Sequence, residues 1–498
     1  MNGTSSHPSS HAAARKPAGV SSPSADICIV GNGAIGKTAA LALAQAGLRV
    51  TLLAPAAAAS GSAAASGAEQ ASWDVRVYAV NQIARDLLSS IKVWDALDAE
   101  RVAAVDGMDV TGDDENHPGH LVFDAYAAHV DALAWIVEDR NLNAALDAAL
   151  KFSPNVRVVN GRAVSLRSDP HGVALQLESG DTLDASLLVG ADGGQSWVRG
   201  QCDIGLDYRA YGQRAIVTNF ACEKAHQGVA YQWFTATEGI VALLPLPGQR
   251  VSLVWSAPDA LAETLMGFQP APTAGNRGCA ASATSASTTA PTDSAPSSPI
   301  SPAKKRIRAW PINGSLQPRA SSHCCRCRAS ACRWCGRRPT RSPRRWQLAQ
   351  HLGKYAAHAL GGLTPLEPEV VRDFPLTLVK PHAMTAPRVA LIGDAAHVIH
   401  PLAGHGMNLG FADVVALLKV INEREPQRDC GDARVLSRYA RARKEEVLLM
   451  QLATDGLARL FGTGLEPLRM VRNIGLNLVN HLPVLKRRLM AHALGKRV

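Results

Sequence analysis

The segment Gly31-Asn32-Gly33-Ala34-Ile35-Gly36 follows directly on the apolar run Ile27-Cys28-Ile29-Val30 and opens a helical stretch from Ala34 to Ala46. A second apolar run, Val50-Thr51-Leu52-Leu53, comes next, so the spacing predicts a strand, a glycine turn, a helix and a strand. In such a unit the first glycine permits the tight turn. The second lets a pyrophosphate approach the backbone, and the third lets helix and strand pack closely, with the helix N-terminus facing the phosphates. The hexapeptide by itself also describes an ordinary glycine-rich turn, and its place between strand and helix is what gives it weight. One element of the pattern is missing. The acidic residue expected at the end of the second strand is absent, because Leu53 is followed by Ala54 and Pro55, and the ribose contact is left unassigned.

The chain has 498 residues, about three domains' worth of sequence. With 47% hydrophobic and 19% charged residues it reads as a globular protein, and no uninterrupted apolar run is long enough to span a membrane. The formal charge of +10 raises the question of a nucleic-acid partner. Thirteen Lys or Arg fall within residues 301–350, which hold no Asp or Glu; taking those 13 from +10 leaves the remainder at −3. Basicity is therefore local, and no nucleic-acid partner is expected for the main fold. Of ten cysteines, five lie between Cys324 and Cys335 and the others are scattered singly. The N-terminus has no basic region followed by an apolar stretch, so a reducing, cytoplasmic setting is expected.

Residues 1–24 are rich in Ser, Ala, His and Pro and read as a disordered tail. Residues 55–72 read as a loop, Ile83–Leu97 and Leu133–Leu150 have helical spacing, and 155–190 alternate like strands. Strand patterning returns from Tyr211 to Trp255 with aromatic residues interleaved, as in a sheet that covers a pocket. Residues 271–303 are almost wholly Ala, Ser, Thr, Pro and Gly, and 304–345 are rich in Arg and Cys with hardly any apolar pattern. Helical text resumes near Gln347, a strand is expected at Arg388–Ile392, and helices continue from Met407 to the end.

Two further segments echo the first. Gly190-Ala191-Asp192-Gly193-Gly194-Gln195-Ser196-Trp197-Val198-Arg199 follows a predicted strand, and Ile392-Gly393-Asp394-Ala395-Ala396-His397 follows another, running on through Pro401, Gly404, Gly406, Met407, Asn408 and Gly410. Taken singly, each Asp is as well explained as a helix cap and each Gly as a turn. Together and in this order they resemble the three signatures of the flavoprotein aromatic hydroxylases, the single-component monooxygenases that bind FAD. Asp74-Val75-Arg76-Val77-Tyr78-Ala79, Trp94, Phe123-Asp124-Ala125, Ile136-Val137-Glu138-Asp139, Leu243-Leu244-Pro245-Leu246, Val254-Trp255-Ser256 and Phe374-Pro375-Leu376 narrow this to the subgroup acting in ubiquinone biosynthesis. The likeness covers residues 26 to about 268 and about 346 to 495. His405 stands where that family usually has Gln.

The resemblance implies an α/β protein: a Rossmann-like FAD-binding domain with a parallel sheet, a substrate domain with a mixed sheet, and C-terminal helices. The implied division gives residues 25–200 and 388–430 to the FAD-binding domain, 201–270 and 346–387 to the substrate domain, 271–345 to an insertion, and 431–498 to a helical region. It implies FAD as cofactor, NAD(P)H as co-substrate, and transfer of one oxygen atom of dioxygen to a phenolic ring. The implied cofactor residues are Gly31, Gly33, Gly36, Arg76, Asp192, Gly193, Ser196, Arg199, Gly393, Asp394, Pro401, Gly404, Gly406, Met407 and Asn408. Asp394 is implied to accept hydrogen bonds from the ribityl hydroxyls, and Asp192, Ser196 and Arg199 to support both FAD and the nicotinamide. Arg76 reads equally as a solvated loop arginine. No residue stands out as a general base.

Three readings stay open: hydroxylation of a polyprenylated ubiquinone precursor, hydroxylation of a small soluble phenolic acid, and an inactive FAD-binding relic. Cys324-x2-Cys327-x4-Cys332-x2-Cys335 can also be read as a zinc site, although the four residues between the pairs are fewer than structural zinc sites use; an insertion without a role is the favoured account. From Gly456 to Val498 the basic residues Arg459, Arg469, Arg472, Lys486, Arg487, Arg488, Lys496 and Arg497 interleave with leucines. A basic amphipathic helix there suits peripheral contact with the inner face of a membrane; packing on the protein's own core or in a homo-oligomer suits it as well.

Overall fold

The computed structural model describes residues 24–55, 73–112, 119–267, 343–366, 371–400 and 405–462. The chain divides into two units, one running to Phe268 and resuming at Ser342, the other Gln269–Arg341. Everything described belongs to the first. The tail, the Arg and Cys-rich segment with its cysteine pairs, Pro401, Gly404 and the basic stretch beyond residue 462 lie outside the described residues.

The strand, turn, helix and strand expected at the N-terminus are Ala25–Val30, the turn at Gly31, Ala34–Gln45 and Val50–Ala54. Apart from Asp26 at the start of the first and Thr51 in the second, both strands are apolar because both faces of the sheet are covered. They sit in the middle of an eight-stranded sheet whose main path runs Thr385–Ala386, Val389–Leu391, Thr182–Gly190, Ala25–Val30, Val50–Ala54 and Val156–Asn160. From Val389–Leu391 to Val156–Asn160 all neighbours are parallel, and the hairpin Ala163–Ser168 with Val173–Leu177 is added to Thr182–Gly190. The helix Ala34–Gln45 is buried almost all round, packed against Asp139–Lys151 and His405–Asn422. Its one buried cation, Lys37, is matched by Asp147 at 2.6 Å and Asn143 Oδ1 at 3.1 Å.

A second eight-stranded sheet, mostly antiparallel, runs Leu363–Pro365, Leu206–Cys222, Arg250–Pro258, Gly239–Leu246, Val229–Thr235, Gly107–Thr111 and His120–Asp124, with Arg372–Pro381 also on the long strand. Alternation decides its two faces. Ile216, Phe220, Val251, Leu253 and Trp255 pack under the helices Asp259–Met266 and Pro343–Leu360. Ala230, Leu244 and Leu246 point the other way, onto Ala103, Val105 and Ile136 of a three-stranded sheet formed by Val77–Val80, Ala134–Glu138 and Val102–Val105.

Three sequence expectations shift. The segment Leu133–Leu150 is not one helix: Ala134–Glu138 is a strand paired on both edges, and the helix begins at Asp139. The aromatic and β-branched run Trp135-Ile136-Val137 suits a central strand, and its apolar spacing matched a helical period by coincidence. Ile83–Leu97 is α-helical only within Gln82–Ser90, capped by Asn81; the chain turns away at Lys92, whose φ is +60°, and a single 3-10 turn follows at Trp94–Ala96. The last helix before the cofactor strand begins at Pro343, inside the segment assigned to the insertion, because proline's fixed φ suits a first helical turn.

That helix is held by Glu238, from the connection between Val229–Thr235 and Gly239–Leu246. Its carboxylate accepts from Tyr355 Oη at 2.6 Å and His351 Nε2 at 3.0 Å and is paired with Lys354, while its carbonyl accepts Trp255 Nε1 at 2.7 Å. Burial pushes the carboxyl pKa up, but the bonds from Lys354, Tyr355 and His351 outweigh it and hold the group down at about 2. A lowered carboxylate pKa stabilises the fold above the ordinary value of 4.5, and that contribution is lost as pH falls toward 2. Urea titrations between pH 5 and 2.5 are expected to show Glu238→Gln with a shallower acid loss of stability than the parent; parallel curves would refute the assignment. Because both flanking helices are anchored in one core, replacing residues 269–341 by a short Gly/Ser linker is expected to leave the melting temperature unchanged, and a clear drop would count against this.

Candidate functional site

The three glycine and aspartate turns leave three adjacent parallel strands at one level. Val30 is in register with Gly190, and Gly190 with Leu391. The amides of Ala191 and Ile392 donate to the carbonyls of Val30 and Gly190 at 2.8 and 2.9 Å, so the turns are stitched together where the strands end. Ligands of open α/β sheets bind at such carboxyl ends.

The glycines divide by what surrounds them. A Cβ on Gly31, whose φ is +123°, would lie 2.2 Å from the carbonyl oxygen of Ala191, and one on Gly36 would lie 2.0 Å from the oxygen of Gly31. These two are needed for the protein's own closure. A Cβ on Gly33, Gly193 or Gly406 would meet nothing within 4 Å. Gly33 is the N-cap of Ala34–Gln45, in extended conformation, and no side chain caps that helix. Its first amides are thus unmatched by any side-chain cap and the space beside Gly33 is open, the arrangement that receives an anion. The space beside these turns fits a pyrophosphate that approaches backbone.

The second turn is largely self-contained. Asp192 accepts from Ser196 Oγ at 2.5 Å and from the Val198 amide at 3.0 Å, and Ser196 caps the short helix Trp197–Gln201 by accepting from the Arg199 amide at 3.0 Å. Buried Arg199 donates to the carbonyls of Ala395 at 3.0 Å and Gly194 at 2.8 Å. Its side chain therefore ties the second turn to the third. Met407 packs at the edge of the main core. Asn408 uses its whole amide on the strand that follows Arg76, accepting from the Asn81 amide at 3.0 Å and donating to Ala79 at 2.7 Å.

Arg76 and Asp394 remain open to solvent. The surrounding chain nevertheless desolvates Asp394 and raises its pKa, an effect opposed by the charges of His397 and Arg76. Arg76 thus lies within electrostatic reach of the third turn, and its guanidinium carbon is 5.8 Å from the Tyr78 ring centre. The segment that carries it is fixed from behind. Buried Glu138 accepts the Asp74 amide at 2.5 Å and both Arg101 nitrogens at 2.6 and 2.9 Å, and Asn219 of the second sheet donates to the Asp74 carbonyl at 2.9 Å.

One group of residues escaped sequence reasoning. Asp413, fully buried on His405–Asn422, accepts from the Gly393 amide at 2.8 Å, His397 Nε2 at 2.8 Å and Arg443 Nε at 2.7 Å. Tyr439 donates to the Leu391 carbonyl at 2.8 Å. Burial pushes the Asp413 pKa up, but His397 and Arg443 outweigh it and the group is held low. The only sequence signal was a lone Asp inside an apolar helical run. Removing this carboxylate leaves the His397 Nε2 and Gly393 amide without an acceptor and takes one of two carboxylate partners from buried Arg443, which keeps Glu446, so Asp413→Ala is expected to cost about 3 kcal/mol in urea denaturation, with Asp413→Asn intermediate. A cost below about 1 kcal/mol would dismiss the hub.

Against known proteins, residues 24–264 and 337–450 match the family model described as FAD binding domain. Ubiquinone hydroxylase UbiL of Rhodospirillum rubrum is 30% identical, with 95% of this chain and 90% of the relative covered. 3-demethoxyubiquinol 3-hydroxylase of Escherichia coli is 30% identical, with 94% and 98% covered. Among solved structures, p-nitrophenol 4-monooxygenase PnpA of Pseudomonas putida superposes with a TM-score of 0.62 at 16% identity over 95% of this chain and 98% of that one. The fold is therefore that of FAD-dependent monooxygenases. The chain belongs to the FAD-binding domain family and is a flavoprotein monooxygenase with FAD as its cofactor.

Proposed function

We propose that this flavoprotein uses NAD(P)H and dioxygen to hydroxylate the phenolic ring of a polyprenylated ubiquinone precursor, with FAD held where the three strand-end turns meet. The observation that carries the cofactor placement is the in-register exit of Val30, Gly190 and Leu391 beside the open Gly33. The substrate class is supported by the two ubiquinone hydroxylases similar to this chain along almost all its length.

In this reading Gly31 and Gly36 close the first turn, and Gly33 leaves the Ala34–Gln45 amides free for the pyrophosphate. Asp394 accepts from ribityl hydroxyls, Arg76 faces the flavin, and Gly193, Gly393 and Gly406 keep backbone close to it. Asp192, Ser196, Arg199 and Asn408 act as positioning residues, since their side chains are already bonded within the protein. Pro401, Gly404 and Met407 complete the third segment in this assignment. Bound FAD supplies the redox chemistry, taking a hydride from NAD(P)H and activating dioxygen. The chain's part is to orient the ring, exclude water and place amides where charge develops. No helix among the described residues is long and apolar enough to cross a membrane, so peripheral contact is the mode proposed for reaching a lipid-like substrate. A homo-oligomer and a cytoplasmic location fit the same reading.

Two glycine variants separate site from scaffold. Gly31→Ala forces a Cβ onto backbone and is expected to destabilise the apoprotein by about 2 kcal/mol or more. Gly33→Ala is expected to leave apoprotein stability within about 0.5 kcal/mol while weakening FAD at least about tenfold. Full retention of FAD in Gly33→Ala would refute the placement. NAD(P)H oxidation stimulated by prenylated phenols, and not by soluble phenolic acids, is the expected substrate result; the opposite preference favours the smaller-substrate enzyme, and no stimulation favours a relic.

A further inference from the structure

His400 is the last described residue before 401–404 and is fully buried. Its Nε2 lies 2.9 Å from Gln213 Oε1, which accepts, so Nε2 carries the proton and Nδ1 presents a lone pair. That Nδ1 is buried and has no hydrogen-bond partner among the described residues. Burial pushes the imidazole pKa down to about 4, so the ring stays a neutral acceptor at physiological pH. The basic groups along the facing strand are committed elsewhere. Arg209 pairs with Asp455, and Arg214 with Asp373 at 2.5 Å. A buried acceptor without a donor is costly and calls for a donor from a ligand or an internal water.

The position of this ring narrows the donor. Tyr211 meets it edge-on, with centroids 4.8 Å apart and planes at 85°. Tyr211 and Gln213 flank Gly212, where φ is +67° and the long strand Leu206–Cys222 shifts register against Arg372–Pro381. Two residues before His400, Val398 bridges to Val379 of the same sheet and stands 3.1 Å from where a Cβ of Gly194 would be. His400 therefore stands at the seam of the second turn, the third turn and the second sheet, between the elements assigned to cofactor and to substrate.

We propose that His400 is a substrate-positioning residue whose Nδ1 accepts the hydrogen bond of the ring hydroxyl of the phenolic substrate. The assignment rests on the function proposed above. It gives the site a group that reads the hydroxyl itself, so an analogue without the donor leaves Nδ1 unmatched and binds less well.

The test titrates holoenzyme with a short-chain prenylated phenol and with its methyl ether, following the flavin absorbance. The parent is expected to prefer the phenol by about tenfold. His400→Asn keeps an acceptor near the Nδ1 position and is expected to retain the preference. His400→Gln keeps the reach toward Gln213 but has no acceptor there and is expected to lose it, with FAD content unchanged. Equal binding of phenol and ether by the parent overturns the proposal and points to an internal water on Nδ1. So does an unchanged preference in His400→Gln, and so does loss of FAD from both variants, which would assign the ring to the cofactor segment. If the parent binds neither compound, the proposed function fails first; if it discriminates and the substitutions are silent, only the role of His400 fails.

Discussion

The close approach of Gly31 to Ala191 is the contact on which the rest of the site depends. At that point two turns far apart in sequence share a space that even one methyl group would overfill. The ladder from Val30 through Gly190 to Leu391 sets this approach, because parallel strands in register deliver their following residues to the same edge of the sheet. Once the first turn lies against the second, Arg199 reaches the third through Ala395, and Ile35 fills the space beside Gly393 and Gly410. The cofactor side is thus fixed by backbone contact first and by side chains second.

A second level of support comes from buried charge. Asp413 with His397 and Arg443 stands beneath the third turn, and Glu138 with Arg101 stands behind the strand leading from Arg76. Buried pairs of this kind contribute little net stability compared with apolar packing, yet they tolerate few alternative geometries. That suits their positions. Each grips a backbone amide, Gly393 in one case and Asp74 in the other, and so holds a segment that has an exposed charged residue to present.

Local features of the sequence carried the three turns, since each combines a strand, a glycine with a special backbone demand and a following helix or half-turn. The parallel sheet and the mixed sheet came from the family resemblance that those turns carry, since the strand patterning by itself gave only separate strands. What stayed hidden depends on tertiary partners. Trp135-Ile136-Val137 reads as one face of a helix until two flanking strands are supplied. Asp192, Ser196 and Asn408 look like ligand contacts in a motif, while the structure gives their side chains bonds within the chain. Asp413 showed only as a lone Asp in an apolar run, because the donors that make its burial tolerable are 16 and 30 residues away.

The place of the unusual middle segment follows from the same division of labour. It joins Asp259–Met266 to Pro343–Leu360, two helices that cover the Trp255 face of the second sheet. Ala230, Leu244 and Leu246 belong to the opposite face, the one turned toward the three-stranded sheet that carries the strand after Arg76. Glu238 and the apolar face of Pro343–Leu360 hold the downstream helix by contacts that involve only described residues. A chain can therefore accept a long insertion at this connection with little entropic penalty per added residue, because the ends are already fixed by the core. The strand-end turns keep their register, since none of the ladders that align them passes through that connection.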